Sequence, residues 1–217
     1  MILPDSFYNQ DACNVAKALL GKVIRRKYRN LWLSAQIIET EAYYRCEKGS
    51  HSSLGKTNKR MAMFMPAGTI YMYYARGRDS FNISVKGEGN AILLKSGRPY
   101  ADKLLQGKDI NSMQKLNPQN NGQVRTEKKL CAGQTLLCRA LNLKVSRWDQ
   151  RRFRANELYI EETGYTPEKI VQTTRLGIPV GRDEQKLYRF IDLAYIDQCT
   201  SNPLTKRKIP KHLIQTL

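Results

Sequence analysis

The stretch "LWLSAQIIETEAYY", residues 31–44, joins a long apolar run to two carboxylates near its end. Its alternation is typical of a β-strand, in which successive side chains point to opposite faces. A strict period of two gives one face with Leu33, Ala35, Ile37, Glu39, Glu41 and Tyr43, and the other with Trp32, Ser34, Gln36, Ile38, Thr40, Ala42 and Tyr44. This pattern predicts that both acids lie on the apolar, core-facing side.

Glu39 and Glu41 therefore need a reason for their position. A buried carboxylate costs free energy unless it is paired or opens into a cleft. One interpretation is that at least one of the two acids has a chemical role. The alternative is that both pair with some of the many Arg and Lys side chains, since structural ion pairs also create unusual carboxylate environments.

The charge of the chain favours a polyanionic partner. The 217 residues include 37 Lys and Arg against 19 Asp and Glu, which gives a net charge of +18 and a pI near 9.8. Nucleic acid is the first candidate and an anionic membrane surface the second, while solubility alone is the simplest explanation. The basic residues are spread from "KVIRRKYR" to "KRKIPKH", which favours a folded binding face over a disordered arm.

The chain has no sequence signal for export or for metal binding. The first residues, "MILPDSFYNQ", do not form a signal peptide, and no run of about 18 apolar residues follows, so we expect a soluble, intracellular protein without membrane contact. Five cysteines without a C-x-x-C pair argue against a disulfide framework and a zinc site. Cys131 and Cys138 fit one helix face by spacing, but are better interpreted as buried apolar side chains.

Short turn sequences divide the first half of the chain into a helix and several strands. "DACNVAKALLG" predicts a helix with Asp11 as its N-cap and Gly21 as its stop. "KVIRRKY" and the stretch quoted above predict a hairpin that turns at Arg29 and Asn30. "GTIYMYYA", "FNISV" and "AILLK" predict further strands, "RGRDS" and "GEGN" predict turns, and residues 45–60 predict a loop.

The second half is more mixed. "RPYADKLLQ" and "TLLCRALNL" predict helices, and "LNPQNNGQVRTEKK" between them predicts a mobile loop. "NELYIEE" and "KLYRFIDL" predict later strands. Strands joined by short turns favour antiparallel pairing. The predicted class is therefore α+β: a single mixed domain, residues 1–217, with a curved, largely antiparallel β-sheet flanked by helices.

Seven side chains of complementary chemistry fall in or beside the predicted sheet: Glu41, Tyr43, His51, Tyr71, Tyr73, Asn82 and Lys95. They fit a nucleobase pocket, because aromatic faces stack on a base, an amide reads exocyclic groups and a carboxylate activates water. Each also has a structural interpretation. Tyr71 and Tyr73 fit half-buried packing, His51 a solvated ring, Asn82 a hydrogen-bonding turn or sheet edge, and Lys95 a solvated strand end.

The order of the motifs is more specific than any one of them. "ETEAY", "HSS", "MFMPAGTIYMYY", "FNIS", "AILLK" and "KLCAG" follow one another in a series that resembles the alkyladenine (3-methyladenine) DNA glycosylases, from about "ALLGKVI" to "RLGI" near residue 178. The resemblance implies a mixed α/β domain with a curved antiparallel sheet. It also implies a monomeric enzyme of base excision repair that acts on double-stranded DNA containing damaged purines, without a cofactor or a metal.

The resemblance implies a role for most of the candidate residues. Glu41, the second acid of "ETEAY", matches the general base that deprotonates the attacking water. Tyr43, His51 and Tyr73 match the side chains that sandwich the flipped base, and Asn82 matches the amide that excludes the guanine amino group. Leu176, in "RLGI", falls near a position whose backbone carbonyl helps to hold the water. Glu39 has no such role, so structural pairing remains its expected function.

Two positions depart from the family pattern. The family has Arg where "AILLK" gives Lys95, which keeps the charge but loses the bidentate fork. The hairpin that enters the minor groove carries a Tyr before a Gly in the family, whereas here Arg76 precedes Gly77. We expect Arg76, or Tyr74 in a shifted register, to fill the space left by the flipped nucleotide, and Arg78 of the same hairpin to contact DNA.

Two rival functions follow from the same residues. A non-catalytic nucleic-acid-binding protein would keep the fold and the charge, with activity lost through the changes at Lys95 and Arg76; retention of Glu41 and the aromatic set argues against it. A basic RNA-binding module would fit the composition, but no stacking motif of the R-G-F-x-F type is present. The sequence therefore favours a monofunctional DNA glycosylase.

Overall fold

The computed structural model describes residues 1–101, 108–205 and 208–216. Within them nine strands form one sheet in which the strand pairs are antiparallel, and short helices pack on it, which confirms the predicted α+β class. The strands are β1 (Val23–Tyr28), β2 (Leu31–Tyr43), β3 (Ile70–Ala75), β4 (Arg78–Ser84), β5 (Ala91–Pro99), β6 (Leu158–Glu161), β7 (Lys169–Thr173), β8 (Arg189–Asp192) and β9 (Ile214–Thr216). The α-helices are α1 (Asp5–Tyr8), α2 (Ala12–Ala18), α3 (Lys108–Leu116), α4 (Glu127–Leu130), α5 (Gln134–Ala140) and α6 (Val145–Trp148).

β2 lies at the centre of the sheet. One edge of this strand pairs with β1 along its first half and with β8 near its end, while the other edge pairs with β5. The strand order is β3-β4-β5-β2-β8-β7-β9, and β6 joins through β1. The long apolar stretch therefore organises the sheet, because three other strands pair with it directly.

A bulge in β2 places its two acids on a different face from the one that was predicted. The pairing with β5 changes register on both sides of Glu39. Beyond the bulge, the Thr40 hydroxyl donates a hydrogen bond to the carbonyl of Ala16 in α2 (2.8 Å), and Ala42 joins the main core. Glu41 lies between these two residues in the strand and so points to the opposite face. The prediction that the acids share a face with Ile37 is wrong, because the extra residue of a bulge breaks strict alternation.

The main hydrophobic core lies between the sheet and helices α2 and α5. It contains Leu33, Ala35 and Ile37 of β2, and burial of each large apolar side chain contributes about 1.5–3 kcal/mol. Cys131 and Cys138 are fully buried in it, as predicted. A smaller cluster contains Ile38, Val171, Ile191 and Cys199. The two faces of β2 thus supply side chains to both clusters.

The strongest local signals of the sequence are confirmed. The Asp11 side chain caps α2 by accepting hydrogen bonds from the backbone N–H groups of Cys13 (2.9 Å) and Asn14 (3.2 Å). Gly21 follows the end of this helix with a φ of 86°, a conformation that favours glycine. The first hairpin turns between Tyr28 and Leu31, as predicted.

Four predictions of secondary structure need correction. Arg98 and Pro99 of the predicted helix "RPYADKLLQ" belong to β5, and residues 102–107 lie outside the described part of the chain. The predicted loop at residues 45–60 contains the 3-10 helix His51–Leu54 and the start of a second one, Asn58–Phe64. α4 begins inside "LNPQNNGQVRTEKK", and β4 begins at Arg78, inside the predicted turn "RGRDS". The sequence did not predict α3, β7 or β9. Of the helices that the structure describes, none has the length and apolar character needed to span a membrane.

Candidate active site

One row of side chains crosses five strands at the same level. The register pairs Tyr71 with Asn82, Asn82 with Leu93, Leu93 with Glu41, and Glu41 with Arg189. Directly paired residues project from the same face of a sheet. The pairing therefore brings residues from β3, β4 and β2 onto one surface, although they are far apart in the sequence.

Glu41 is a fully buried carboxylate that three groups contact. Its Oε2 accepts a hydrogen bond from the Tyr43 hydroxyl (2.7 Å), and its Oε1 accepts one from the backbone N–H of Leu176 (3.1 Å). The Nζ of Lys95 lies 3.4 Å from the same Oε1. These contacts compensate the burial of the negative charge and fix the direction of both oxygens.

Irregular pairing of β5 with β2 explains how Lys95 reaches this carboxylate. Ser96 pairs with Glu39 and Leu94 with Thr40, which leaves Lys95 as an extra residue between them. Its side chain is only 11% exposed, so the expectation of a solvated strand end is wrong. The backbone N–H of Leu176 also contacts Glu41, whereas the expectation that the carbonyl of Leu176 helps to hold a water stays a prediction.

An aromatic cluster adjoins the carboxylate. The rings of His51 and Tyr73 meet edge to face with centroids 4.4 Å apart, and Tyr71 stacks beside Tyr73 at 5.5 Å. The Nδ1 of His51 lies 3.1 Å from the Tyr71 hydroxyl. Tyr71 is almost completely buried, whereas Tyr73 and His51 retain exposed surface. Tyr71 therefore holds His51, and the other two rings are open to a ligand.

The environment of the cluster determines the charge of its members. Burial lowers the pKa of His51, and the guanidinium groups of Arg60 and Arg182 lower it further. The His51 ring is consequently neutral at pH 7. Burial also raises the pKa of Tyr43, and the negative charge of Glu41 adds to this effect. The hydroxyl of Tyr43 thus stays protonated and donates to the carboxylate.

Asn82 is held in place by the backbone. Its Nδ2 donates a hydrogen bond to the carbonyl of Tyr71 (3.2 Å), and the residue is 5% exposed. Because Leu93 pairs with both Asn82 and Glu41, the amide and the carboxylate are two strands apart, which is about 10 Å in a sheet.

Glu39 forms a structural ion pair, as the sequence led us to expect. Its Oε1 lies 2.6 Å from the Nε of Arg189, and its Oε2 accepts hydrogen bonds from the Ser96 hydroxyl and from the backbone N–H of Thr200. The side chains of Glu39 and Arg189 are both fully buried. Of the two neighbouring acids, one is therefore a paired structural carboxylate and the other lies in the candidate site.

The β3–β4 hairpin extends from the aromatic cluster and turns at Arg76 and Gly77. Both residues have positive φ, 50° and 75°, as expected for the tight turns of hairpins. Tyr74 pairs with Asp79, which accepts a hydrogen bond from the backbone N–H of Val145 (2.9 Å) at the start of α6. The hairpin is thus anchored on the face that carries Tyr74.

The alternation of side chains along the strands assigns the remaining hairpin residues to its two faces. Tyr73 and Ala75 share a face, and Arg78 pairs with Ala75 on that same face. Arg76 and Arg78 are exposed, and Tyr74 is 60% exposed. Arg78 therefore lies on the side of the aromatic cluster and Tyr74 on the opposite side, while Arg76 is at the tip.

Sequence reasoning missed two charged residues of the site. Arg175, next to Leu176, forms a buried ion pair with Glu47 (2.7 Å) behind the ring of Tyr43. Neither residue has a local pattern that marks it, because the two are brought together by packing of distant segments. Among the residues that the structure describes, no three or more His, Cys, Asp or Glu side chains are grouped closely enough to hold a metal ion.

Comparison with known proteins identifies the family of this chain. The family model described as methylpurine-DNA glycosylase (MPG) matches residues 6–194. A provisionally named 3-methyladenine DNA glycosylase of Pseudomonas savastanoi pv. phaseolicola is 56% identical over 207 residues, which cover 95% of this chain and 93% of that protein. A protein of the same provisional name from Pseudomonas aeruginosa strain UCBPP-PA14 is 54% identical, with 95% and 87% covered.

A more distant relative has the same provisional name. The protein from Clostridium beijerinckii is 34% identical over 184 residues, which cover 82% of this chain and 88% of its own. The sequence thus defines a DNA glycosylase, a class of hydrolases that act on DNA bases. The chain belongs to the methylpurine-DNA glycosylase family, which confirms the resemblance noted from its motifs.

Proposed function

We propose that this protein takes a damaged purine out of the DNA duplex and hydrolyses its N-glycosidic bond with a water activated by Glu41, leaving an abasic site. The observation that carries this proposal is the fully buried Glu41 carboxylate, oriented by Tyr43 and Leu176 at the edge of an aromatic cluster. Extrusion of a base costs a few kcal/mol, and the cost is least for damaged or mispaired bases.

The carboxylate has two tasks in this mechanism. A water in line with C1′ of the flipped nucleotide gives its proton to Glu41 as the oxygen attacks and the glycosidic bond breaks. The negative charge of Glu41 also stabilises the positive charge that develops on the sugar, as carboxylates do in glycoside hydrolysis. Lys95, 3.4 Å from the carboxylate, is a point charge that orients it and the nearby phosphate.

The aromatic side chains supply the pocket for the base. We assign Tyr43, His51 and Tyr73 to the stacking surfaces, and Tyr71 to the support of His51 through their 3.1 Å contact. A neutral His51 is suited to a purine that carries a positive charge, because a protonated ring would repel it. Asn82, held by its bond to Tyr71, is placed to reject the guanine amino group.

One chain supplies every group in this scheme, so we infer that the protein acts as a monomer on double-stranded DNA. The net charge of +18 favours electrostatic contact with the phosphate backbone. Cationic alkylpurines such as 3-methyladenine are good leaving groups, and a deaminated purine such as hypoxanthine is a neutral alternative.

The proposal is tested with duplexes that contain 3-methyladenine or hypoxanthine, beside an undamaged duplex of the same sequence. We expect chromatography to detect release of the free damaged base, and strand cleavage to appear only after alkali. Tight binding of all three duplexes without any release would instead support the rival function, a non-catalytic nucleic-acid-binding protein.

Substitution of Lys95 tests whether the enzyme is monofunctional. A partly desolvated lysine can attack a sugar carbon and form a Schiff base, but the Nζ of Lys95 lies 3.4 Å from the Oε1 of Glu41, so we assign Lys95 to an ion pair with this carboxylate. We expect Lys95→Arg to retain or raise the excision rate, and Lys95→Ala to lower it about tenfold or more because a charge beside the carboxylate is lost.

Borohydride treatment supplies the decisive control for Lys95. We expect no covalent protein–DNA adduct from the parent protein. An adduct that forms with the parent and disappears in Lys95→Ala would establish a Schiff base and contradict the monofunctional assignment.

Substitution at the hairpin tip tests which residue fills the space of the flipped nucleotide. Arg76 has positive φ, which Asn tolerates, so Arg76→Asn removes the long charged side chain and preserves the turn. We expect this variant to lose several-fold more affinity for lesion duplex than for undamaged duplex, because the space exists only in the flipped state.

Two matched variants complete the hairpin experiment. Tyr74→Ala alters the opposite face and should leave the discrimination unchanged, whereas Arg78→Ala removes a charge on the cluster side and should weaken both duplexes alike. An equal loss on both duplexes for Arg76→Asn would make Arg76 a phosphate contact. A selective loss for Tyr74→Ala would transfer the role to Tyr74.

A further inference from the structure

We infer that the buried ion pair of Arg175 and Glu47 positions Tyr43 and, by keeping the charge behind this ring neutral, lets the pocket accept cationic purines. This inference rests on the proposed function, because it assigns Tyr43 to the base pocket. Arg175 and Glu47 are positioning residues, since the base would contact neither of them.

The pair holds the backbone on both sides of Tyr43. The Nη1 of Arg175 donates hydrogen bonds to the Glu47 carboxylate (2.7 Å) and to the carbonyl of Ala42 (2.9 Å). The same carboxylate oxygen of Glu47 accepts a hydrogen bond from the backbone N–H of Tyr44 (3.2 Å). The peptide groups before and after Tyr43 are therefore both tied to one ion pair.

The pair also covers one face of the Tyr43 ring. The guanidinium carbon of Arg175 lies 4.6 Å from the centroid of this ring, and 5.5 Å from that of Tyr188. The Arg175 side chain has no exposed surface. The face of Tyr43 that it covers is closed, so a base can stack only on the other face.

Incomplete hydrogen bonding indicates that stability alone does not explain the pair. The Nε and Nη2 of Arg175 and the Oε1 of Glu47 are buried without a hydrogen-bond partner among the described residues. Buried charges of this kind contribute little to stability, and an apolar pair of similar volume is often as good. A cation in contact with the faces of two tyrosine rings, with its charge balanced by a carboxylate, has a clearer use in positioning and electrostatics.

The balance of charge matters for a cationic base. A lone guanidinium behind Tyr43 would repel a positive purine on the front of the ring, because charges at such separations interact appreciably in a partly desolvated site. The carboxylate of Glu47, in direct contact with Arg175, cancels this repulsion. The guanidinium would not repel a neutral base such as hypoxanthine in this way.

The pair is also linked to the carboxylate that activates water. Leu176, whose N–H donates to Glu41, follows Arg175 in the chain, and Tyr43 donates its hydroxyl to the other oxygen of Glu41. Displacement of Arg175 would therefore disturb two of the three contacts of the carboxylate. If the groups around Glu41 lose their position, excision of all lesions should slow. If the charge of Arg175 is no longer balanced by Glu47, only the excision of cationic lesions should slow.

Three variants separate these effects: Glu47→Gln, Arg175→Gln and the double variant. Single-turnover excision of 3-methyladenine and hypoxanthine is measured in each. For Glu47→Gln we expect the ratio of the 3-methyladenine rate to the hypoxanthine rate to fall on the order of tenfold. The double variant should recover the parental ratio while both rates stay low. Glu161→Gln, which breaks the distant ion pair with Arg25, is the matched control and should keep the parental ratio.

The inference would be overturned if Glu47→Gln lowered the 3-methyladenine rate and the hypoxanthine rate by the same factor. It would also be overturned if the double variant had the same ratio of these rates as Glu47→Gln. Affinities for the two lesion duplexes, measured in the Glu41→Gln background, give the same ratio without excision. A parent protein that binds lesions preferentially but excises nothing would overturn the proposed function and leave this affinity ratio as the test of the pair. Absence of any preference for lesions would overturn both.

Discussion

Glu41→Gln is expected to abolish measurable purine excision and to leave binding of lesion-containing duplex close to that of the parent. The amide has the shape of the carboxylate but cannot accept a proton from water. General base catalysis alone contributes about 10²- to 10⁴-fold, and the lost negative charge beside the sugar adds to this. We therefore expect the single-turnover rate to fall at least about 10³-fold.

A matched substitution controls for the loss of a negative charge. Glu88 is 73% exposed and pairs with Arg45 at 3.1 Å rather than with a residue of the candidate site, so Glu88→Gln should excise at the parental rate. Affinity is measured with the same duplexes, which separates binding from chemistry. Excision by Glu41→Gln at more than a few per cent of the parental rate would remove Glu41 from the role of general base.

Glu39→Gln is expected to have the largest effect on stability. It leaves the guanidinium of Arg189, which is fully buried, without its charged partner. Removal of one member of a buried ion pair typically costs about 3–5 kcal/mol, because the remaining charge is uncompensated. Urea unfolding should therefore give a free energy of unfolding lower by about 3 kcal/mol or more.

The exposed pair of Glu88 again provides the comparison, since Glu88→Gln should change the free energy of unfolding by less than about 1 kcal/mol. The excision rate per folded molecule of Glu39→Gln should stay near the parental value when measured well below its unfolding transition. A destabilisation under about 1 kcal/mol would show that Arg189 finds another partner. A specific loss of excision in the folded protein would give Glu39 a part in the chemistry.

These two carboxylates are separated by one residue and yet have opposite expected effects. Glu39 meets Arg189, Ser96 and Thr200, whereas Glu41 meets Tyr43, Lys95 and Leu176. The partners come from different parts of the chain, so their chemistry is not encoded in "ETEAY" itself. Alternation of side chains does not distinguish the two acids, because both lie on the same face of β2.

Local patterns in the sequence were sufficient for the elements that depend on neighbouring residues. The Asp11 cap of α2, the glycine stop after this helix, and the hairpin of β1 and β2 were all predicted, since side-chain capping and turn preferences act over a few residues. The ordered motifs also identified the family correctly.

Pairing between strands that are distant in sequence determined the features that local patterns did not predict. The bulge at Glu39 reverses the face of the acids, because a strand that pairs with β5 and β8 at once accommodates an extra residue that alternation alone does not predict. The contact of Lys95 with Glu41 depends on the same irregularity.

The sequence by itself determined the α+β class, the long strand that contains Glu39 and Glu41, and the family of this protein, because these follow from periodicity, turns and motif order along the chain. The order of the motifs had already given Glu39 and Glu41 different expected roles, but only the tertiary structure supplied the partners of each acid, and only it brought Arg175 and Glu47 behind Tyr43. The physical reason is that the free energy of a buried charge depends on the groups that surround it in space, and those groups are contributed by strands and loops distant in sequence.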